Sequence, residues 1–335
     1  MNNSSVEPKE DDNTPFMPKT PDPTWYWSIR CFIAVVGWIG NGLVIYIIAR
    51  SRRLQITSNW FVMSLAVADL CVTLIVAIPE FICSVFLDCD WWSIKVLYDV
   101  FLYASVLNLC AMTFDRYFAI VHPLRYQRIM TSCFAMAILI STWITAVLIP
   151  LPYYIALRMN QYELFSTLQM LVRLILEVLP CFILLITYLH MAYIARKQMR
   201  RVVQQRKQLS YNYNVPCQAL SPRPKGSVRA VGLVVLIFLC CYSVAAYKGY
   251  INYVNFEKVQ KEIVGLARFL YHLNSASNCI VYALCRQDVR NEVMQVVCYK
   301  KRSILTINNN IPEIQMSHNE SRRKKSLSIE SAADK

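Results

Sequence analysis

Seven stretches of the chain are apolar at almost every position: about 25–49, 59–86, 92–121, 132–156, 166–195, 228–254 and 262–285. A soluble helix or strand would interrupt such runs with a polar face every few residues. Each run instead approaches the roughly 20 residues a helix needs to cross a bilayer. A helix is also the single-segment structure that satisfies its own backbone in lipid. The pattern therefore predicts an all-α membrane protein, a seven-transmembrane helix bundle. The connecting segments sort by charge. Arg50, Arg52 and Arg53 follow the first run, Arg125 and Arg128 lie between the third and fourth, and a dense basic stretch runs from Arg196 to Arg229. The alternate connections are mixed or acidic, with Asp88, Asp90, Glu163, Glu257 and Lys258. The positive-inside rule then places the N-terminus outside and the C-terminus in the cytoplasm of a multi-pass plasma-membrane protein.

The remaining segments complete the layout. Residues 1–24 form a polar, acidic extracellular tail with overlapping glycosylation sequons at Asn2–Ser5. They lack the apolar core of a signal peptide, so the first run is expected to act as its own insertion signal. Residues 25–285 form the seven-helix domain, and its third inner loop, about 196–227, is expected to extend the flanking helices at its ends and to be disordered in its middle. Residues 286–299 place Val289, Val293, Val296 and Val297 opposite Arg286, Arg290 and Glu292, which predicts a short amphipathic cytoplasmic helix on the bilayer surface. Residues 300–335 are a polar cytoplasmic tail whose Arg322–Lys325 run precedes Ser326, readable as a kinase substrate or as a basic tail near anionic lipid.

Composition agrees with the pattern. The chain has 335 residues, 56% hydrophobic and 17% charged, against about 25% charged in soluble domains. Its net charge of +14 sits in the basic loops, so topology accounts for it and nucleic acid need not. Thirteen cysteines suggest a disulfide scaffold until they are placed. Most fall inside apolar runs, where a thiol packs as a small hydrophobe, and Cys83 and Cys89 lie near the oxidising outer side. No cysteine–histidine cluster has zinc spacing, and no nucleophile–base constellation points to an enzyme.

Polar residues inside the runs need partners there. Asp69 sits in the middle of run two. Ser105 is in run three, Asn274, Ser275 and Asn278 share one face of run seven, and Asn41 is in run one. Hydroxyl and amide oxygens with one carboxylate and no base at that depth suit a small monovalent cation. A hydrogen-bond network without an ion is the alternative.

The third run ends in Met112-Thr113-Phe114-Asp115-Arg116-Tyr117-Phe118-Ala119-Ile120-Val121-His122-Pro123-Leu124. This stretch closely resembles the end of the third helix in rhodopsin-like (class A) G-protein-coupled receptors. The resemblance extends over all seven runs, through Trp143 in run four, Pro180 and Tyr188 in run five, Phe238 in run six and Tyr282 in run seven. It implies a ligand-driven shift that opens a cleft for a heterotrimeric G protein. Asp115, Arg116, Tyr117 and Pro123 would couple, with Tyr188 and Tyr282 swinging in to hold Arg116. Val106, Pro180, Phe238 and Tyr242 would form the packing cluster that rearranges. It also implies an allosteric sodium ion at Asp69, no other cofactor, and receptor kinase and arrestin as partners of the tail.

Four positions depart from the family pattern. Cys241-Tyr242-Ser243-Val244 and Asn278-Cys279-Ile280-Val281-Tyr282 lack the usual prolines, so straighter sixth and seventh helices are expected. Trp91 stands where the family carries a cysteine, and the second outer loop, about 157–165, has none. A local Cys83–Cys89 bridge is the remaining disulfide candidate. The start of run six offers no acid to Arg116, which leaves Asp115 as its partner and predicts basal signalling.

For the ligand, Glu80, Tyr98, Asp99, Leu102, Arg173, Glu177, Arg268 and His272 are expected to line a pocket, together with Lys248, Tyr103 and Tyr247. Two signs of charge favour a peptide or a small charged or zwitterionic molecule, and a lipid stays open. Tyr98 stands where aminergic receptors of this family carry an aspartate, which disfavours a biogenic amine although Asp99 is adjacent. Salt bridges between helices are the alternative for each charge. The competing functional class is a non-signalling decoy receptor or a multi-pass transporter or channel.

Overall fold

The computed structural model describes residues 24–86, 91–213, 226–254, 261–285, 289–292 and 294. Seven membrane-length helical segments account for nearly all of them. Helix α1 is Thr24–Arg50. Helix α2 runs through Thr57–Cys71, a π-helical turn Val72–Val76 and Ala77–Val85. Helix α3 is Trp91–Val121. Helix α4 is Ser132–Leu148, carried on by Leu151–Arg158 after a turn. Helix α5 comprises Tyr162–Arg173, a second π turn Leu174–Val178 and Leu179–Tyr213. Helices α6 and α7 are Gly226–Val254 and Lys261–Cys285. Six of the seven are apolar enough to cross a membrane by length and composition. The other, α7, places Arg268, His272, Asn274, Ser275 and Asn278 in the bundle interior instead.

Both π turns end just before a proline, Pro79 in α2 and Pro180 in α5. Proline donates no N–H and its ring collides with the carbonyl four residues back, so one extra residue in the preceding turn relieves both faults. The apolar pattern predicts regular helices here and misses this. Conversely, α6 and α7 are uninterrupted α-helix through Val244 and Cys279, as the missing prolines lead one to expect.

The connections are short. After Arg158 the chain reverses at Asn160, whose φ of 58° is left-handed. Asn160 N–H donates to the Leu157 carbonyl and Gln161 N–H to the Ala156 carbonyl, which closes the helix in a Schellman motif. Helix α5 starts at Tyr162, so the second connection is much tighter than the predicted 157–165. Pro123 opens a short helix, Pro123–Ile129, at the position where a missing N–H is harmless. Helix α5 runs well past residue 195, which confirms a helical start to the basic loop. Val289–Glu292 is helical with Val289 buried and Arg290 exposed. The rest of the predicted amphipathic helix, both tails and the middle of the basic loop lie outside the described residues.

Packing follows from which faces are apolar. Helix α3 is the hub: most of its side chains are buried, whereas α4 keeps most of its apolar side chains on the outside. It touches α2, α4 and α5, while α7 closes the ring against α1 and α6. Trp143 anchors α4 by donating to Ser64 Oγ at 3.0 Å, and Ser64 donates to Asn108 Oδ1 at 2.7 Å. Where α1 meets α7, a Cβ on Gly40 would collide with Cys279 Sγ. Phe32, Trp38, Ile140, Phe182, Ile186 and Leu236 stay exposed on the outer surface of the bundle, as lipid contact requires.

Candidate functional site

The chemistry lies at three levels along α3. At mid-depth, Asp69 is fully buried. Its two oxygens accept from Ser105 Oγ at 2.7 Å and Asn278 Nδ2 at 2.8 Å. Asn41 spans α1 and α7 by donating to the Gly37 and Ser275 carbonyls at 3.0 and 3.2 Å. The carboxylate has no basic partner among the described residues. Among the described residues four buried oxygens nearby in sequence and register, Asn41 Oδ1, Asn274 Oδ1, Ser275 Oγ and Asn278 Oδ1, close no hydrogen bond of normal geometry, with the Ser275 hydroxyl facing the Asp69 carboxylate. Oxygen donors, one carboxylate and unused lone pairs are a chemistry that fits a hard monovalent cation. The structure thus gathers Asp69, Ser105 and Asn278, with Asn41, Asn274 and Ser275 buried around them.

At the end of α3 that carries the basic loops, Asp115 is fully buried. It accepts from Ser58 Oγ and from Tyr126 OH, the latter at 2.7 Å. Arg116 Nε lies 3.5 Å from Asp115, and Arg116 Nη2 donates to the Ser58 carbonyl at 3.1 Å. Asp115 is therefore the acid beside Arg116, as expected. Tyr126, on the short Pro123–Ile129 helix, was not singled out from sequence. Burial, and then its bond to Asp115, pushes its phenol up to about 12, so it stays a proton donor at physiological pH. Tyr117 OH pairs with His190 Nδ1 at 3.2 Å, and Tyr282 OH reaches Met112 Sδ at 3.1 Å. The Tyr188 ring lies against Gly232, leaving no room for a Cβ there. Neither tyrosine holds Arg116 in this conformation. Val106, Phe238 and Tyr242 share one core cluster, with Phe238 stacked on Tyr242 at 4.2 Å, and Pro180 is buried.

At the opposite end, two ion-pair systems flank a cavity. Glu80 accepts from Arg30 at 3.1 and 2.6 Å in a bidentate pair. Arg268 at 3.5 Å and His272 at 3.6 Å complete its surroundings. Arg30 also lies over the Trp27 and Tyr26 rings, at 4.9 and 5.4 Å. In the second system, Lys95 pairs with Asp99 at 2.7 Å, and Tyr153 and Tyr154 donate to the same carboxylate oxygen. This pins the far end of α4 to α3. Cys83 is disulfide-bonded, and Cys89 lies outside the described residues.

Several pocket expectations change. Glu80, Tyr98, Asp99, Leu102, Arg173, Glu177, Lys248 and Arg268 do line the cavity, joined by Ile94, Lys95 and Tyr271. His272 does not: it packs behind, between Arg30 and Glu80. Tyr103 is buried in a separate cluster with Tyr153, and Tyr247 is 55% exposed on the outer surface. Asp99 and Glu80 serve their intramolecular bases. The residues missed were Arg30, Lys95, Tyr153 and Tyr154. An arginine inside an apolar run is costly enough to have flagged Arg30. Nothing in the pattern marked the other three.

Residues 40–282 match the model of the seven-transmembrane receptor family called the rhodopsin family. The chain is 27% identical over 312 residues to the octopamine receptor beta-2R of Chilo suppressalis, covering 78% of this chain and 77% of that protein. It is 26% identical over 303 residues to the histamine H2 receptor of Cavia porcellus, covering 82% and 80%. A shorter match, 30% over 141 residues and 40% and 39% of the two chains, is to the allatostatin-A receptor of Bombyx mori.

Proposed function

The chain belongs to the rhodopsin family of seven-transmembrane receptors, and from that premise we propose that an extracellular ligand in the charged cavity drives G-protein activation through Arg116. It is a membrane receptor, not an enzyme. The observation that carries the finer reading is the continuity of α3. One 31-residue helix, about 46 Å long, lines the cavity with Lys95, Tyr98, Asp99 and Leu102, bonds Asp69 through Ser105, and ends at Asp115–Arg116. A ligand that prefers one packing of its neighbours therefore biases the other end. Arg116 pairs with Asp115 and donates to the Ser58 carbonyl, and the start of α6, Gly226–Arg229, carries no acid to latch it, which favours basal activity. The basic loops orient this end toward the cytoplasm of the plasma membrane, where the helical extension of α5 supplies Arg196, Arg200 and Arg201. The polar tail would serve receptor kinase and arrestin.

The relatives named for octopamine and histamine support a ligand with an amino group, and the one named for allatostatin a peptide. The two-signed cavity favours a small zwitterion over either alone. The test is nucleotide exchange on a panel of G proteins in membranes holding the receptor or Arg116→Ala. Basal exchange above mock membranes, abolished by Arg116→Ala, is expected. Exchange equal to mock membranes for every G protein would leave a decoy or transporter.

Asp69, Ser105, Asn274, Ser275 and Asn278 would hold a sodium ion, with Asn41 alongside. The ion would supply the positive charge that no side chain brings to Asp69, favouring the compact arrangement. Asp69 and Ser105 keep their own bond, and the unused amide and hydroxyl oxygens support the reading. Sodium should raise the melting temperature of the purified receptor relative to choline. An equal sodium effect in Asp69→Asn would rule the site out.

A further inference from the structure

We propose that the cavity recognises a carboxylate, held between Arg173 of α5 and Lys248 of α6; this rests on the receptor reading above and names the ligand chemistry it leaves open. Arg173, Glu177 and Lys248 line the cavity; among the described residues none of their side chains closes an ion pair or a hydrogen bond, although the three feel one another's charge. The contrast with α3 explains why. Lys95 and Asp99 are four residues apart in regular α-helix and meet at 2.7 Å. Arg173 and Glu177 have the same order and spacing, but the π turn Leu174–Val178 falls between them. A wider turn changes the register of such a pair, and here the two remain electrostatic neighbours without an ion pair between them. Arg173 lies against α6, where a Cβ on Gly249 would stand 3.6 Å from its Nη1. The other cavity acids are engaged, Asp99 by Lys95 and Glu80 by Arg30 and Arg268.

These three residues leave two cations and one carboxylate, a net charge of +1, beside a Glu80 cluster in which two arginines share one acid. A monoanion offsets that excess. A guanidinium fork and an ammonium from facing helices match the two oxygens of a carboxylate. Glu177 then remains to receive an amino group on the same molecule. The anion bridges α5 and α6, so it interacts differently with two packings of those helices, which is what an activating ligand must do.

The test uses matched pairs that differ only by the carboxylate: tyrosine and tyramine, histidine and histamine, β-alanine and ethylamine, with simple monocarboxylates added. The readout is the melting temperature of the purified full-length receptor. In at least one pair the acid should stabilise the receptor more than its amine. That advantage should weaken about tenfold or more in apparent affinity in Lys248→Gln and in Arg173→Gln. Glu177→Gln should bind simple monocarboxylates more tightly, because it removes the competing anion. Amines that match or exceed their acids, no stabilisation by any carboxylate, or full stabilisation retained in both cation variants would each overturn the proposal. Basal nucleotide exchange that depends on Arg116 is measured without ligand, so it separates failure of this inference from failure of the receptor reading.

Discussion

Asp69 and Glu80 hang from the same helix about three turns apart, and both are almost wholly buried. Their surroundings are opposite. Asp69 has neutral donors only, one hydroxyl and one amide. Glu80 has a bidentate guanidinium, a second arginine and a histidine. One site is left short of positive charge and the other has more than it needs. The difference shows two ways of keeping a carboxylate inside a bundle, with different consequences when it is removed. Taking away the acid of an over-compensated cluster strands cations in a dry interior, whereas taking it from a neutral network strands nothing charged.

The largest effect should therefore come from Glu80→Gln. Arg30, 4% exposed, would lose its bidentate partner and Arg268 its neighbour. Breaking a buried pair from one side costs about 3–5 kcal/mol, enough to remove most folded receptor from the cell surface. Adding Arg30→Met to Glu80→Gln should restore much of it, because two apolar or neutral groups then replace the pair. If surface expression and melting temperature of Glu80→Gln equal those of the parent, the cluster does not hold α1, α2 and α7 together.

Asp69→Asn should act more weakly and in the other direction. In choline buffer the variant should be as stable as the parent or more stable by about 1–2 kcal/mol, since a buried carboxylate facing neutral donors is itself costly. A melting temperature that falls in choline as steeply as for Glu80→Gln would mean that the two environments do not differ as described.

The contrast also separates what could be read from the sequence from what could not. Asp69, Ser105 and Asn278 stand as isolated polar residues in apolar runs, and lipid forces such groups inward to one another, so their meeting was legible. The seven spans were legible for the same reason. Lys95, Tyr153 and Tyr154 lie near helix ends, where lysine and tyrosine also serve as interface anchors, so nothing singled them out as a buried cluster. Arg30 is different: its depth in run one was a signal, and its partner Glu80 lines the cavity as expected while also pairing with α1. The π turns before Pro79 and Pro180 escaped because apolar periodicity does not register one extra residue. The second of them matters most, because it sets apart two charges that the same spacing joins in α3.

The smallest effect sharpens the comparison from the Asp69 side. Ser105→Ala removes one of two neutral donors, at 2.7 Å, and leaves Asn278 in place. A single hydrogen bond to a charged group contributes about 1.5–3 kcal/mol, but Asp69 keeps its amide donor, and a water or ion can enter where the hydroxyl was. The net loss in choline should then fall near 1 kcal/mol, well below that of Glu80→Gln. Sodium should recover part of it in Ser105→Ala, because the ion meets the same carboxylate, and none of it when Asp69→Asn is added. A loss in choline that sodium leaves untouched would show that Ser105 serves only to pack α3 against α2.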